Sequence, residues 1–147
     1  FSNHDKLILG GVIFDDYPIL DGHSDADVVY HVVAESLLGA SNLGDLGTLF
    51  PDNDPKYKGI ASSILLEYVV DLLNQRNILI ENIDVMVYLI KPSLKKYKKQ
   101  MASNIKNITK AFNVCVKAAT LNKRGLISLE EGIGAEAISL IKIPHNK

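Results

Sequence analysis

Two histidines and a series of carboxylates are the residues best suited to chemistry, and they are closely spaced. The run Gly22-His23-Ser24-Asp25-Ala26-Asp27-Val28-Val29-Tyr30-His31 passes from loop-forming residues into a helix-forming stretch. On a helix, Asp27, His31 and Glu35 fall at i, i+4 and i+8, one polar stripe among Val28, Val29, Val32, Val33, Leu37 and Leu38. Such a stripe must face water or be satisfied internally. A neutral imidazole such as His31 ligates zinc well, and a neighbouring carboxylate can hold its second nitrogen in the right tautomer. One histidine does not make a metal site, and a surface histidine among charges is the plain alternative. His23-Ser24 sits just before a helix start, where free N–H groups and the helix dipole favour an anion such as phosphate. Ordinary capping by Ser24 or Asp25 would produce the same pattern.

A second polar segment, Gly44-Asp45-Leu46-Gly47-Thr48-Leu49-Phe50-Pro51-Asp52-Asn53-Asp54-Pro55, follows one helix later. Asp45, Asp52 and Asp54 can accept hydrogen bonds from substrate hydroxyls, and Gly47 allows close backbone approach. Turn chemistry explains the same residue types. An EF-hand is excluded, because the loop lacks its glycine and its closing glutamate. Lys91, Lys95, Lys96, Lys98 and Lys99 cluster at a helix start, where cations oppose the dipole unless an anion is bound. A solvated charged face is the alternative. Lys117, Lys123 and Arg124 add to the same positive field. The sequence contains no Walker loop, dinucleotide fingerprint or nucleophile elbow.

The elements that must position these residues read as β-α-α-β-α-β. Lys6 to Phe14 is strand-forming with a bulge or tight bend at Gly10-Gly11, and Asp15 to Pro18 reads as a turn. A helix is expected from Asp27 to Leu38, ending near Gly39, with a long loop over 40–60. Ala61 to Arg76 is expected to bury Ile64, Leu65, Tyr68, Val69, Leu72 and Leu73. Glu81 to Ile90 alternates as a strand with Ile83, Val85, Val87 and Leu89 on one side. Pro92-Ser93 is expected to open a basic helix reaching Phe112. Asn113 to Thr120 is strand-like, 121–131 a loop, and Gly132 to Ile143 a closing strand. That order implies an α/β (α+β) sandwich, a mixed sheet covered on one face by helices. Gly132, Gly134, Ala135 and Ala137 make the last strand small-sided, for tight packing under a helix or for a subunit contact.

Composition sets outer limits. The 147 residues, 47% apolar with a net charge of −1, suit one domain over 1–147 with a substantial core. The near-neutral balance argues against a disordered tail or a chain-wide attraction to nucleic acid. Cys115, the single cysteine, has no internal disulfide partner, which fits a reducing compartment. No apolar run reaches the roughly 20 residues that span a bilayer. Phe1 in place of a starting Met implies a lost beginning, with which a targeting segment can have gone.

The chain resembles the 2-C-methyl-D-erythritol 2,4-cyclodiphosphate synthase family. The matching pieces are LILGGV at Leu7 to Val12, GHSDADVVYH at Gly22 to His31, LLGASNLGDLGTLFPDNDPKYKG at Leu37 to Gly59, and EGIGAEAISLI at Glu131 to Ile141. IDVMVYLIKP and VKAATLNKRG match more loosely. The resemblance implies a homotrimer with sheets around a threefold axis and active sites at subunit interfaces. It implies an enzyme of non-mevalonate isoprenoid biosynthesis acting on 4-diphosphocytidyl-2-C-methyl-D-erythritol 2-phosphate. The 2-phosphate attacks the β-phosphorus, CMP leaves, and a cyclic diphosphate closes. Zinc and a magnesium or manganese ion orient the phosphates. No nucleic-acid or membrane partner is implied. The location is the cytoplasm for a bacterial member and the plastid or apicoplast for a plant or parasite one.

By position, the resemblance makes His31 a zinc ligand and places the other two in an Asp-x-His motif upstream of Phe1. It makes His23 and Thr120 the catalytic positions. His23 and Ser24 hold the phosphate and erythritol end, and Glu35, which stands where an Asp is common, is among the substrate-binding positions. Asp45 and Gly47 meet nucleotide or erythritol hydroxyls, and Phe50, Pro51, Asp52 and Asp54 belong to a loop over the erythritol. Lys91, Pro92, Ser93 and Leu94 begin the cytidine pocket, while Ala119, Thr120, Leu121 and Asn122 form the diphosphate-binding turn. Asn122 replaces a usual Glu that helps bind the second metal, Leu129 a frequent Arg, and Ser93 a common Lys. Asn122, Leu129 and the absent zinc ligands motivate a second reading, a non-catalytic member that binds a cytidine nucleotide or isoprenoid-like ligand. A metal-assisted phosphate-ester hydrolase is a third, although no residue pattern specifically activates water.

Overall fold

The computed structural model describes residues 6–18, 27–51, 61–119 and 132–145. Strand β1 (Lys6–Leu9) and strand β2 (Val12–Pro18) form an antiparallel hairpin. The bend expected at Gly10-Gly11 is its turn, and the chain stays extended through Asp15 to Pro18, where a turn was expected. Pairing of Lys6 with Pro18 across an irregular register keeps that segment in the ladder.

Helix α1 (Val28–Ser41) follows, then the single-turn helix α2 (Leu46–Leu49) inside the stretch expected as loop, then helix α3 (Ser62–Gln75). Gly39 does not end α1. Asn42, left-handed at φ 58°, is the cap, and Leu43 N–H donates to Leu38 O at 2.9 Å. On α3 the buried positions are Leu66, Val69, Val70 and Leu73, whereas Ile64 and Tyr68 face outward. The expected face is thus rotated, because apolar residues nearly encircle this helix.

Strand β3 (Leu79–Tyr88) leads to helix α4 (Lys98–Thr109), strand β4 (Asn113–Ala119) and strand β5 (Gly134–Lys142). The helix expected from Pro92 starts six residues later, after a turn in which Tyr97 and Lys98 N–H groups both donate to Leu94 O. The sheet order is β4-β3-β5, parallel between β3 and β4 and antiparallel between β3 and β5. Ile83, Val85, Val87 and Leu89 are all buried against the helices, as the alternation predicts.

Ser36 Oγ on α1 and Ser139 Oγ on β5 are 2.6 Å apart, so Ser139 and its same-face neighbours Ala135 and Ala137 lie under α1. Small side chains there serve close helix packing. On the other face Ile138 (75% exposed) and Leu140 (63%) stand open. The Lys117–Asp84 ion pair at 3.1 Å and the Tyr88–Glu136 hydrogen bond at 2.6 Å lie there too.

Candidate active site

The three members of the α1 stripe serve different purposes. Asp27 is 3% exposed and caps the helix. Its Oδ1 accepts from Gly10 N–H at 2.8 Å and from Val29 and Tyr30 N–H at 3.1 Å each, and Oδ2 accepts from Gly11 N–H at 2.7 Å. Asp27 N–H in turn donates to Ser62 Oγ at 3.0 Å. One residue therefore joins the hairpin turn and the starts of α1 and α3. The capping role expected of Ser24 or Asp25 belongs to Asp27; both lie outside the described residues. Burial pushes the Asp27 carboxyl up, and the four backbone N–H groups pull it back. Tyr30 is pushed up to about 12 by its own burial and by the Asp27 charge.

This junction requires Gly11. Its φ is +77°, and a Cβ there would run into the Tyr30 hydroxyl and come within 2.9 Å of Asn104 Nδ2. Asn104 Nδ2 also donates to Gly10 O at 2.9 Å, bringing α4 to the same turn.

His31, one turn along α1, is exposed. Glu35, a further turn along, is half-buried, and its Oε1 accepts from Leu46 N–H at 2.6 Å. Asp27 and Glu35, the carboxylates one turn to either side of His31, both bond backbone amides. The Val29 and Tyr30 bonds are local capping that an Asp at a helix start allows, whereas the Gly10, Gly11 and Leu46 amides come from turns distant in sequence and carried no local signal.

Helix α2 presents the next group. Asp45 caps it by accepting from Thr48 N–H at 2.7 Å, and the Thr48 hydrogen bonds lower the Asp45 carboxyl pKa. Leu46 is buried, while Asp45 and Gly47 are exposed. Phe50 meets Tyr68 of α3 edge to face, with ring centroids 5.0 Å apart, and Pro51 is half-buried. Asp52 and Asp54 lie outside the described residues, as do His23, Ser24, Thr120, Leu121 and Asn122.

At the end of β3, Leu89 N–H donates to Ala119 O at 3.2 Å, so Lys91 to Leu94 and Ala119 leave the sheet at one end. The Lys91–Pro92 peptide is cis. Pro92 and Leu94 are buried, Lys91 and Ser93 exposed. A cleft of about 330 Å³ opens here between Ile90, Pro92, Ser93, Leu94, Lys98 and Ala118. A larger hollow of about 470 Å³ lies across the same turn, between Ile13 and Phe14 of β2 and Pro92, Ser93, Lys95 and Lys96. Pro92, Ser93 and Lys95 line both, and Leu94 and Lys98 line the smaller cleft.

Among the described residues, no three His, Cys, Asp or Glu side chains form a group able to hold a metal ion. Zinc takes about four ligands, and His31 offers one imidazole between two carboxylates already bonded to amides. The described residues alone therefore do not make a zinc centre.

The YgbB family model matches residues 1–142. The 2-C-methyl-D-erythritol 2,4-cyclodiphosphate synthase of Brachyspira hyodysenteriae is 44% identical over 144 residues, which is 97% of this chain and 91% of that protein. A solved bifunctional IspDF of Campylobacter jejuni superposes with a TM-score of 0.86 at 35% identity, covering 97% of this chain and 39% of that one. IspF of Plasmodium falciparum, solved as a CDP complex, gives a TM-score of 0.81 at 33% identity over 99% of this chain and 88% of its own. The motifs, the mixed sheet under its helices and these likenesses agree: the chain belongs to the YgbB family, that of the 2-C-methyl-D-erythritol 2,4-cyclodiphosphate synthases.

Proposed function

We propose that this chain converts 4-diphosphocytidyl-2-C-methyl-D-erythritol 2-phosphate to 2-C-methyl-D-erythritol 2,4-cyclodiphosphate and CMP, within non-mevalonate isoprenoid biosynthesis. The observation that carries this reading is its 44% identity to a synthase of that name across 97% of the chain. An oxygen of the 2-phosphate bonds to the β-phosphorus, the bond from that phosphorus to the bridging oxygen breaks, and CMP departs with the bridging oxygen. The step needs positioning and charge neutralisation more than a protein nucleophile.

The cleft at Pro92 to Leu94 takes the cytidine, a reading supported by the CDP complex of the Plasmodium falciparum neighbour. Lys95 and Lys98 on its wall supply positive charge. Asp45 and Gly47 on exposed α2 meet sugar or erythritol hydroxyls, with Phe50, Pro51, Asp52 and Asp54 beside the erythritol. His23, Ser24 and the turn Ala119 to Asn122 hold the phosphates, with His23 and Thr120 nearest the chemistry. A divalent cation supplies charge neutralisation when bound. Among the described residues His31 would be a ligand and zinc the ion its imidazole suits, while magnesium or manganese would serve the diphosphate.

A homotrimer around a threefold axis would cover the open sheet face, where Ile138 and Leu140 are exposed. Bacterial relatives favour the cytoplasm as the location, and among the described residues no helix is long and apolar enough to cross a membrane. The non-catalytic reading rests on Asn122 and Leu129, which lie outside the described residues, and the synthase relatives favour turnover.

Phosphorus NMR of the reaction tests the proposal. The full-length protein is expected to yield cyclic diphosphate and CMP together, with both lost on chelation. CMP with an open-chain diphosphate would indicate a hydrolase. Binding of CDP without any turnover would indicate the non-catalytic member.

A further inference from the structure

Helix α2 holds four residues, too few to persist without outside support. Its first amides have no intrahelical partner and must find one elsewhere. Asp45, at the cap, takes the Thr48 amide, a bond within the turn itself. The Leu46 amide instead reaches across to Glu35 Oε1 at 2.6 Å, a short bond to a carboxylate acceptor, while the Leu46 side chain is buried at 5% exposure. Glu35 stands one turn from His31 on the same helix face, so α2 is tied to the turn of α1 that carries the exposed histidine.

We propose that Glu35 is a positioning residue. It acts through its reach, fastening α2 to α1 and so setting where Asp45 and Gly47 stand relative to His31. Its contact is a backbone amide, and its effect on substrate passes through α2. The functional half of this inference rests on the synthase reading; the structural half does not.

Reach and charge are separable. Gln keeps the length and an acceptor oxygen but removes the charge, whereas Asp keeps the charge and shortens the arm by about 1.5 Å. The experiment compares the full-length protein with Glu35→Gln, Glu35→Asp and Glu35→Ala, by amide hydrogen exchange at Leu46, the Gly47 amide resonance and steady-state CMP release. Gln is expected to hold the Leu46 exchange rate and KM within about twofold of the parent protein. Asp and Ala are expected to speed Leu46 exchange about tenfold and shift the Gly47 resonance. They should also raise KM about 3- to 10-fold, with kcat changed less than about twofold.

The opposite order, Asp active and Gln inactive, would overturn the proposal by making the charge itself act on substrate or metal. Unchanged Leu46 exchange in Asp and Ala would overturn it by removing the bond. Faster exchange with an unmoved Gly47 resonance would overturn the positioning. Absence of CMP release from every protein, the parent included, would sink the synthase reading, while Leu46 and Gly47 would still decide the role of Glu35.

Discussion

At the start of α1, Asp27 is shut away from water with four amides on its two oxygens; two turns later Glu35 is half-buried and holds one. Both carboxylates answer backbone N–H groups brought from elsewhere in the chain, Gly10 and Gly11 for Asp27 and Leu46 for Glu35, and Asp27 also caps its own helix. The first joins three elements of the core and is fixed by burial. The second joins a single-turn helix at the edge of the candidate site. Between them His31 is left exposed, the member of the stripe open to a ligand. The difference teaches that one helical face can divide within two turns into an end closed into the core and an end open at the candidate site.

The comparison breaks most violently at Asp27. Replacing Asp27 with Ala orphans buried amides of the hairpin turn and of α1, and is expected to cost about 3–5 kcal/mol in urea unfolding. Asp27→Asn keeps one acceptor but turns an NH2 toward donors, so it should fall between Ala and the parent. A loss below about 1 kcal/mol in Asp27→Ala would show that the junction does not hold the fold.

Titration sharpens the contrast more gently. Asp27 is pushed above its ordinary 3.8 by burial, and Asp45 is held below 3.8 by its bonds to Thr48. The sign for Asp45 follows: its cap on α2 is intact above 3.8 and is lost only as pH falls through the lowered value. Carboxyl carbon NMR should therefore show Asp27 protonating first as the solution is acidified, and Asp45 later. The reverse order would remove the distinction between the buried carboxylate and the exposed cap.

Much of this was legible in local pattern. The alternation Ile83, Val85, Val87, Leu89 specified the buried face of β3, and the paired glycines marked the hairpin turn. The α3 face was legible only in part: Val69 and Leu73 are buried as expected, while Leu66 and Val70 are buried in place of Ile64 and Tyr68 because Ile64, Leu65, Tyr68 and Leu72 offer nearly as good a stripe. The start of α4 was not legible, because Pro92 and Leu94 are buried beside a cleft rather than in a helix. The Gly10 and Gly11 partners of Asp27 and the Leu46 partner of Glu35 depend on turns that meet only in the folded chain. His31 was recognisable by type and spacing, while its exposure between two occupied carboxylates required the fold.

The central claim is that His31 serves the chemistry while its two neighbours on the stripe serve the fold. The most direct test measures unfolding free energy and CMP release on the same sample of His31→Ala in the full-length protein. Stability within about 0.5 kcal/mol of the parent, with CMP release down at least about 100-fold, is the predicted result. CMP release near the parent rate, or a loss of activity that only tracks a loss of stability, would contradict it.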